Sequence, residues 1–335
     1  MPGEKIINFN DQSLDLKLRP NIWNEYVGQE SIKKNLQILL QAASERNEPI
    51  EHLLFHGPAG LGKTTLAHLI AKESKAPIKI TSGPTIERVG DLASILTNLS
   101  PGDILFIDEI HRLNKLIEEV LYSAMESRVL NIIIGKGPSA RTIQLDLAPF
   151  TLIAATTRIS LLSSPLRSRF AGGIYRLNFY TPEEIQNILS RSAKILNIDM
   201  EPGAKSEIAR RSRATPRIAN HLLKRCRDYA QINNQNILDF KTAKDTFDLL
   251  EIDEEGLETA DRRLLEILIT KFNGGPIGLQ TLSAATSEEE GTIEDVYEPY
   301  LIQLGFLERT PRGRIATPRA YEHLGIKVPK QDTLM

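Results

Sequence analysis

Residues Gly57-Pro58-Ala59-Gly60-Leu61-Gly62-Lys63-Thr64 spell G-x-x-x-x-G-K-T and follow directly on the apolar run Leu53–Phe55. A strand that feeds a glycine loop and then a helix is the phosphate-binding unit of parallel α/β domains, so no other stretch constrains the fold as strongly. Glycines let successive backbone N–H groups turn inward around an anion, and the helix that starts there adds its positive end. The pattern assigns the Lys63 ammonium to outer phosphates and the Thr64 hydroxyl to Mg²⁺. A ligand-free flexible loop is the alternative, and the strand before it argues against that. The chain is expected to bind a nucleotide.

At 335 residues the chain is too long for one core and fits two or three domains. Its 41 basic and 43 acidic side chains nearly cancel, so any nucleic-acid contact must come from a local patch. The one cysteine, Cys226, excludes an intramolecular disulfide and a cysteine-based metal cluster. It sits in a helical pattern where a buried small hydrophobe is expected. The start, MPGEKIINFN, has no secretory pattern, and no apolar run approaches the length of a membrane span. A soluble cytoplasmic protein without membrane association is the expectation.

From about 20 to 160, short apolar strands alternate with amphipathic helices, the pattern of an α/β domain with a parallel sheet. The strands are Leu53–His56, Ile78–Thr81, Ile104–Asp108 and Thr151–Thr156. The helices are Ser31–Arg46, Lys63–Lys75, Gly90–Leu99 and Lys115–Glu126. Leu130–Leu147, with a Gly135-Lys136-Gly137-Pro138 turn at its middle, reads as a projecting β-hairpin. Beyond Tyr180 the pattern becomes helical, with helices near 183–196, 203–212, 215–232 and 239–248 forming a small all-α lid. Thr181-Pro182-Glu183-Glu184 opens it as a capping box. Asp248–Asp261 holds seven acids and no base, which reads as a solvated linker or helix edge marking a boundary. The remainder reads as a winged helix: helices Thr259–Phe272, Leu279–Thr286 and one from Thr292 to Gly305, then strands Leu307–Thr310 and Arg314–Thr317. The domains so drawn are 1–180, 181–252 and 253–335.

Asp108 and Glu109 end an apolar strand 45 residues after Lys63. Beside a phosphate loop, the first carboxylate suits Mg²⁺ through its water shell and the second suits orienting or deprotonating an attacking water. Hydrolysis is favoured over passive binding. Thr156 and Thr157 end the next strand, where a hydroxyl can position water or simply cap the strand. Arg167 and Arg169 follow in Ser164-Pro165-Leu166-Arg167-Ser168-Arg169-Phe170. One of them can be lent to a neighbouring copy, and surface ion pairing is the expectation for Arg167. Arg217, after Thr215-Pro216, opens a lid helix within a stretch of eight bases and one acid from Lys205 to Arg227. It is the one of these bases whose reach back to phosphates would link lid to nucleotide.

The segments LRPNIWNEYVGQE, GPAGLGKTT, FIDEIHRL, ATTR, SPLRSRF, TPRIAN and RTPRGR together resemble the AAA+ ATPases, and among them the RuvB family of bacterial Holliday-junction branch-migration motors. The likeness runs from Leu18 to about Pro329. It implies ATP/ADP and Mg²⁺ as ligands, held by Gly60, Lys63, Thr64 and Thr65, with Leu18 and Arg19 flanking the adenine and Tyr180 near the lid hinge. By the same resemblance Asp108 and Glu109 are the acid pair, Thr157 is the first sensor, Arg217 the second, and Arg169 the finger offered to the adjacent subunit. Glu126, Ser127 and Arg128 match a segment that reaches the neighbour's nucleotide. Ser127 and Arg128 depart from the family pattern, and Ala171-Gly172-Gly173 carries an extra residue. The resemblance further implies a homohexameric ring on double-stranded DNA at four-way junctions. A RuvA tetramer would dock on the 130–145 hairpin through Leu130, Ile132 and Ile134, and RuvC would be a further partner. A hairpin folded on its own core remains the alternative.

In the wing, Arg309, Arg312 and Arg314 cluster around a glycine turn. Such arginines give a salt-sensitive, sequence-neutral grip on phosphates. Two other functions share parts of this pattern. A clamp loader has the same motor core but ends in a helical collar, against which the RTPRGR turn argues. A nucleotide-switched operator-binding regulator needs base-reading side chains on the Thr292–Leu304 helix, which instead carries Glu294, Asp295 and Glu298.

Overall fold

The computed structural model describes residues 11–134 and 141–328, which form two compact units, Met1–Phe179 and Tyr180–Met335. In the first, helices α1 (Asp11–Leu18) and α2 (Glu30–Arg46) precede β1 (Leu53–His56) and α3 (Lys63–Glu73). There follow β2 (Ile78–Ser82), α4 (Val89–Thr97), β3 (Ile104–Asp108), α5 (Lys115–Ser127), the hairpin β4 (Val129–Ile134) and β5 (Arg141–Asp146), β6 (Thr151–Thr156), α6 (Ser164–Arg167) and β7 (Gly173–Arg176). Five strands pair in parallel in the order β2-β3-β6-β1-β7. Every residue of β6 and three of four in β1 are buried, as continuous apolar runs between two helical layers must be.

This order puts the ends of β3, β6 and β1 side by side, so the loops leaving them share one edge of the sheet. The fifth strand, β7, is absent from the sequence reading because its four residues alternate between partly buried and exposed and lack an apolar run. The extra residue read at Ala171-Gly172-Gly173 belongs to the turn that delivers β7. Gly172 donates its N–H to the His52 carbonyl at 3.0 Å, and a Cβ there would meet the Glu51 carbonyl oxygen at 2.9 Å.

The second unit begins with α7 (Pro182–Leu196), whose Thr181 and Glu184 form the expected capping box. It continues through a short strand β8 (Asp199–Met200), α8 (Pro202–Arg211), α9 (Pro216–Ile232), β9 (Ile237–Leu238) and α10 (Phe240–Leu249), with β8 and β9 paired in parallel. Then come α11 (Thr259–Phe272), α12 (Leu279–Thr286), α13 (Glu290–Thr292), a π-helical turn Ile293–Tyr297, α14 (Glu298–Gln303), the ribbon β10 (Leu307–Thr310) and β11 (Gly313–Ala316), and α15 (Pro318–His323). The helix read as continuous from Thr292 is therefore interrupted. Pro299 has no N–H to give a regular α-helical ladder, and the π turn just before it absorbs the missing bond.

Of the two readings of the acidic stretch 248–261, the structure favours the helix edge over the solvated linker, since it ends α10 and opens α11. Leu257 and Asp261 are fully buried, and the Asp253 Oδ1 carboxylate oxygen accepts N–H groups from Glu255 and Leu257 at 3.0 and 2.9 Å. Asp253 and Asp261 serve as turn and cap acceptors, a use that charge counting cannot see, while Asp248, Glu251, Glu254 and Glu258 stay exposed. Leu257 joins one core with Leu264, Leu268, Ile293, Leu301 and Phe306, so the stretch is sewn into the winged helix.

Candidate nucleotide site

The loop after β1 turns through positive φ at Gly57, Gly60 and Gly62, at 131°, 81° and 98°. Gly62 is fixed by its neighbour as well: a Cβ would come within 2.9 Å of the Tyr26 hydroxyl, which lies 3.4 Å from the Leu61 carbonyl. Lys63 follows as the first residue of α3 and is buried. Its ammonium donates to the Gly57 and Pro58 carbonyls at 2.8 Å each, so the side chain folds back across the loop. Burial draws the Lys63 pKa below its ordinary value, while the charges of Glu109 and Asp108 act to hold it up. A buried ammonium bonded to neutral carbonyls and facing two carboxylates fits an anionic ligand that would share the pocket.

Thr64 Oγ1 donates to Asp108 Oδ2 at 3.4 Å, so the two groups suited to a magnesium ion are adjacent. Asp108 Oδ1 accepts the Glu109 N–H at 3.0 Å. Glu109 itself has φ of 48°, a left-handed conformation unfavourable for a residue with a Cβ and common where a side chain must be aimed. Its Oε2 accepts the Thr157 hydroxyl at 3.2 Å and lies 3.2 Å from His111 Nδ1, which is also 2.9 Å from Thr156 Oγ1. Thr65 follows Thr64 on α3, partly buried, and Gly60 lies in the loop. The sequence reading named Glu109 and Thr157 but missed His111. The signal was its place in FIDEIHRL, where the short helix Ile110–Arg112 returns the ring to the strand end.

Leu18, at the end of α1, is buried, and Arg19 beside it is close enough for its charge to lower the pKa of His68 on α3, after the larger effect of burial. The expected adenine pair therefore borders the helix that opens at the phosphate loop. Arg169 donates from Nη2 to Glu126 Oε2 at 2.6 Å, and both side chains are partly solvent-facing. Glu126 and Ser127 end α5, and Arg128 caps it with φ of 54°. Arg169 and the segment expected to face a neighbour thus lie on one exposed patch, tied by an ion pair worth ~0–1 kcal/mol.

The hairpin forms as read, with Leu130 opposite Leu145 and Ile132 opposite Ile143. Leu130 needs correction as a docking anchor: it is fully buried in the core with Leu121, Met125 and Leu152. The hairpin leaves the body at its root, so the residue nearest α5 packs inward. The turn 135–140 and the side chains of Ile132 and Ile134 lie outside the described residues.

In the second unit Tyr180 is buried and Arg217 is exposed on the first turn of α9. Two of the wing's three arginines also make ion pairs within the fold. Arg309 and Arg314 both bind Glu298, which is fully buried, and Arg314 Nη2 also donates to Glu294 at 3.2 Å. Glu294 and Glu298 on the preceding segment are thus partners of the ribbon. Arg309 and Arg314 are occupied within the fold, and Arg312 at the turn is exposed.

Comparison with known proteins agrees with this geometry. Residues 18–177 match the family model for the Holliday junction DNA helicase RuvB P-loop domain. Residues 180–253 match the RuvB AAA lid domain, and 254–325 the RuvB C-terminal winged helix domain. Two relatives named Holliday junction branch migration complex subunit RuvB, from Chloroflexus aurantiacus and Chloroflexus aggregans, are 55% and 54% identical over 335 residues, 99% of this chain and 95% of each relative. A solved structure described as the Thermotoga maritima RuvB Holliday junction branch migration motor is 49% identical. It superposes with a TM-score of 0.86 over 93% of this chain and all of that one. With three successive domains matched and the phosphate loop, Asp108, Glu109 and Thr157 assembled at one sheet edge, the chain belongs to the RuvB family of P-loop ATPase motors.

Proposed function

We propose that this chain works as a homohexameric ring, driven by ATP and Mg²⁺, that moves double-stranded DNA through four-way junctions held by a RuvA tetramer, with RuvC acting on the same complex. The observation that carries this is the hydrolytic cluster. Lys63, Thr64, Asp108, Glu109 and Thr157 converge, while Arg169 is bonded outward to Glu126 and Ser168. Such a pocket has its acids aimed and its outer arginine held on the surface.

In this reading Lys63 and the loop N–H groups hold phosphates, and Thr64 and Asp108 hold Mg²⁺, which would supply charge neutralisation at the outer phosphates. Glu109 accepts the proton of the attacking water, with Thr157 and His111 fixing its carboxylate. Arg169 leaves Glu126 for the neighbour's outer phosphate, which that weak surface pair allows. Leu18, Arg19, Gly60, Thr65 and Tyr180 complete the nucleotide contacts, Glu126, Ser127 and Arg128 belong to the inter-subunit face, and Arg217 reports nucleotide state to the lid. Arg312 leads the wing's contact with DNA, Arg309 and Arg314 backing it. RuvA takes the outer part of the hairpin, with Ile132 and Ile134 as its anchor. No described helix is long and apolar enough to cross a membrane, and we assign the complex to the bacterial cytoplasm, where junction DNA resides.

The test is ATP hydrolysis and junction movement with added four-way junction, with and without RuvA. Stimulation by junction, and movement only when RuvA and ATP are both present, is the expected result. Hydrolysis indifferent to junction DNA would contradict the motor reading.

A further inference from the structure

Two consecutive non-glycine residues, Arg213 and Ala214, are left-handed, with φ of 52° and 51°. Each such residue is unfavourable, and a pair persists only where its surroundings hold it. The pair lies between α8 and Thr215, the N-cap of α9, so it sets where the helix bearing Arg217 begins. Three sets of contacts meet there. On the lid side, the Ala214 carbonyl accepts the N–H of Tyr180, the first residue of this unit, at 3.0 Å. On the winged-helix side, the buried Arg213 guanidinium donates to both carboxylate oxygens of Asp261 at 3.0 and 3.1 Å and to the Val296 carbonyl at 3.3 Å. It also lies 4.8 Å from the centre of the Tyr300 ring. Asp261 is wholly buried and receives the Glu258 N–H at 2.9 Å.

The winged-helix end is equally fixed. The Tyr300 hydroxyl donates to the Glu255 carbonyl at 2.6 Å, and Arg211 Nη1 donates to the Ile252 carbonyl at 2.6 Å. Val296 lies in the π turn directly before α14, the helix that carries the wing's anchor Glu298. A planar guanidinium held by two carboxylate oxygens, one carbonyl and a ring face has a single permitted orientation, as a lysine would not. We propose that the Arg213–Ala214 turn is the joint that couples the α9 helix to the winged helix, with Arg213 as its positioning residue. Any rotation of the start of α9 is then carried through Asp261 to α11 and through Val296 to the segment that anchors the wing.

The inference rests on the motor reading above, and its test separates the two. Two full-length variants are compared with wild type: Ala214→Gly, which relieves the left-handed cost and loosens the turn, and the double variant Arg213→Gln with Asp261→Asn, which avoids leaving one buried charge alone. Thermal unfolding, binding of a fluorescent ATP analogue, hydrolysis without DNA, binding to duplex, and junction movement per ATP consumed are measured. The expected result is near wild-type binding and DNA-free hydrolysis, with movement per ATP lowered about tenfold in the double variant and less in Ala214→Gly. Arg213→Lys with Asp261 intact should recover part of the ratio.

An unchanged ratio in a folded variant overturns the joint, and so does a parallel loss of every activity that follows the melting temperature, since that is a structural role alone. Should the double variant not fold, Ala214→Gly decides by the same ratio. Failure of the motor reading shows instead in wild type, as absent ATP-dependent movement, and takes the joint with it.

Discussion

The phosphate loop and the wing are both read as phosphate-facing, yet they prepare their charge in opposite ways. In the loop, Lys63 rests on two neutral carbonyls, which an anion displaces at little cost. In the wing, Arg309 and Arg314 rest on a fully buried carboxylate, Glu298, so much of their charge is already answered. The first arrangement keeps a cation available; the second uses cations to fix the shape of a ribbon. Basic residues clustered around a turn therefore do not by themselves measure its grip on DNA.

This contrast can be broken at either end. The largest effect is expected at Arg169, the proposed finger: Arg169→Ala should keep nucleotide binding and lose hydrolysis by about 10³-fold or more, in steady-state assays. Next, Lys63→Ala should weaken nucleotide binding by about 100-fold, the size of a lost charge-assisted contact of ~3 kcal/mol, in equilibrium titration. Normal hydrolysis by the Arg169 variant would refute the shared site.

The wing gives a sharper split. Arg314→Ala leaves buried Glu298 with one partner fewer and should destabilise the second unit by about 3 kcal/mol, seen in denaturant unfolding. Arg312→Ala should leave unfolding unchanged while weakening duplex binding and lowering the salt slope by about 1. Equal effects of the two on DNA with none on stability would erase the distinction between them.

How much of this was legible in the sequence follows the same line. The three inner strands β1, β3 and β6 and the helices were readable because continuous apolar runs and periodic faces are local signals, edge strand β2 because its isoleucines alternate with polar residues, and the phosphate loop because its chemistry lies in consecutive residues. The edge strand β7 was not, since its pattern is set by lying beside β1. Glu298 and Arg314 are sixteen positions apart, and Arg213 and Asp261 forty-eight. No spacing rule pairs them; only the folded chain does. Leu130 misled for the same reason, because a hairpin's apolar residues look alike until its root is placed.

A smaller effect concerns acidity in the first unit. His52 Nδ1 accepts the Leu152 N–H at 2.8 Å, and burial, with the charge of Arg128, lowers its pKa despite an opposing bond to the Met125 carbonyl. A depressed folded pKa means the neutral ring stabilises the fold above the ordinary histidine value of ~6.5, and that contribution is lost as pH falls below it. Melting temperature should therefore drop between pH 7 and 5, and less so for His52→Asn, whose amide oxygen can accept the same N–H. Identical slopes would remove His52 from the account.

The central claim is that the nucleotide site is finished by a second copy of the chain. Its most direct test is ATP hydrolysis per subunit across a range of protein concentration, with assembly mass followed in parallel by light scattering. The account predicts that specific activity rises with assembly in wild type, and stays near zero for Arg169→Ala although that variant assembles. Constant specific activity from monomer to ring would contradict it.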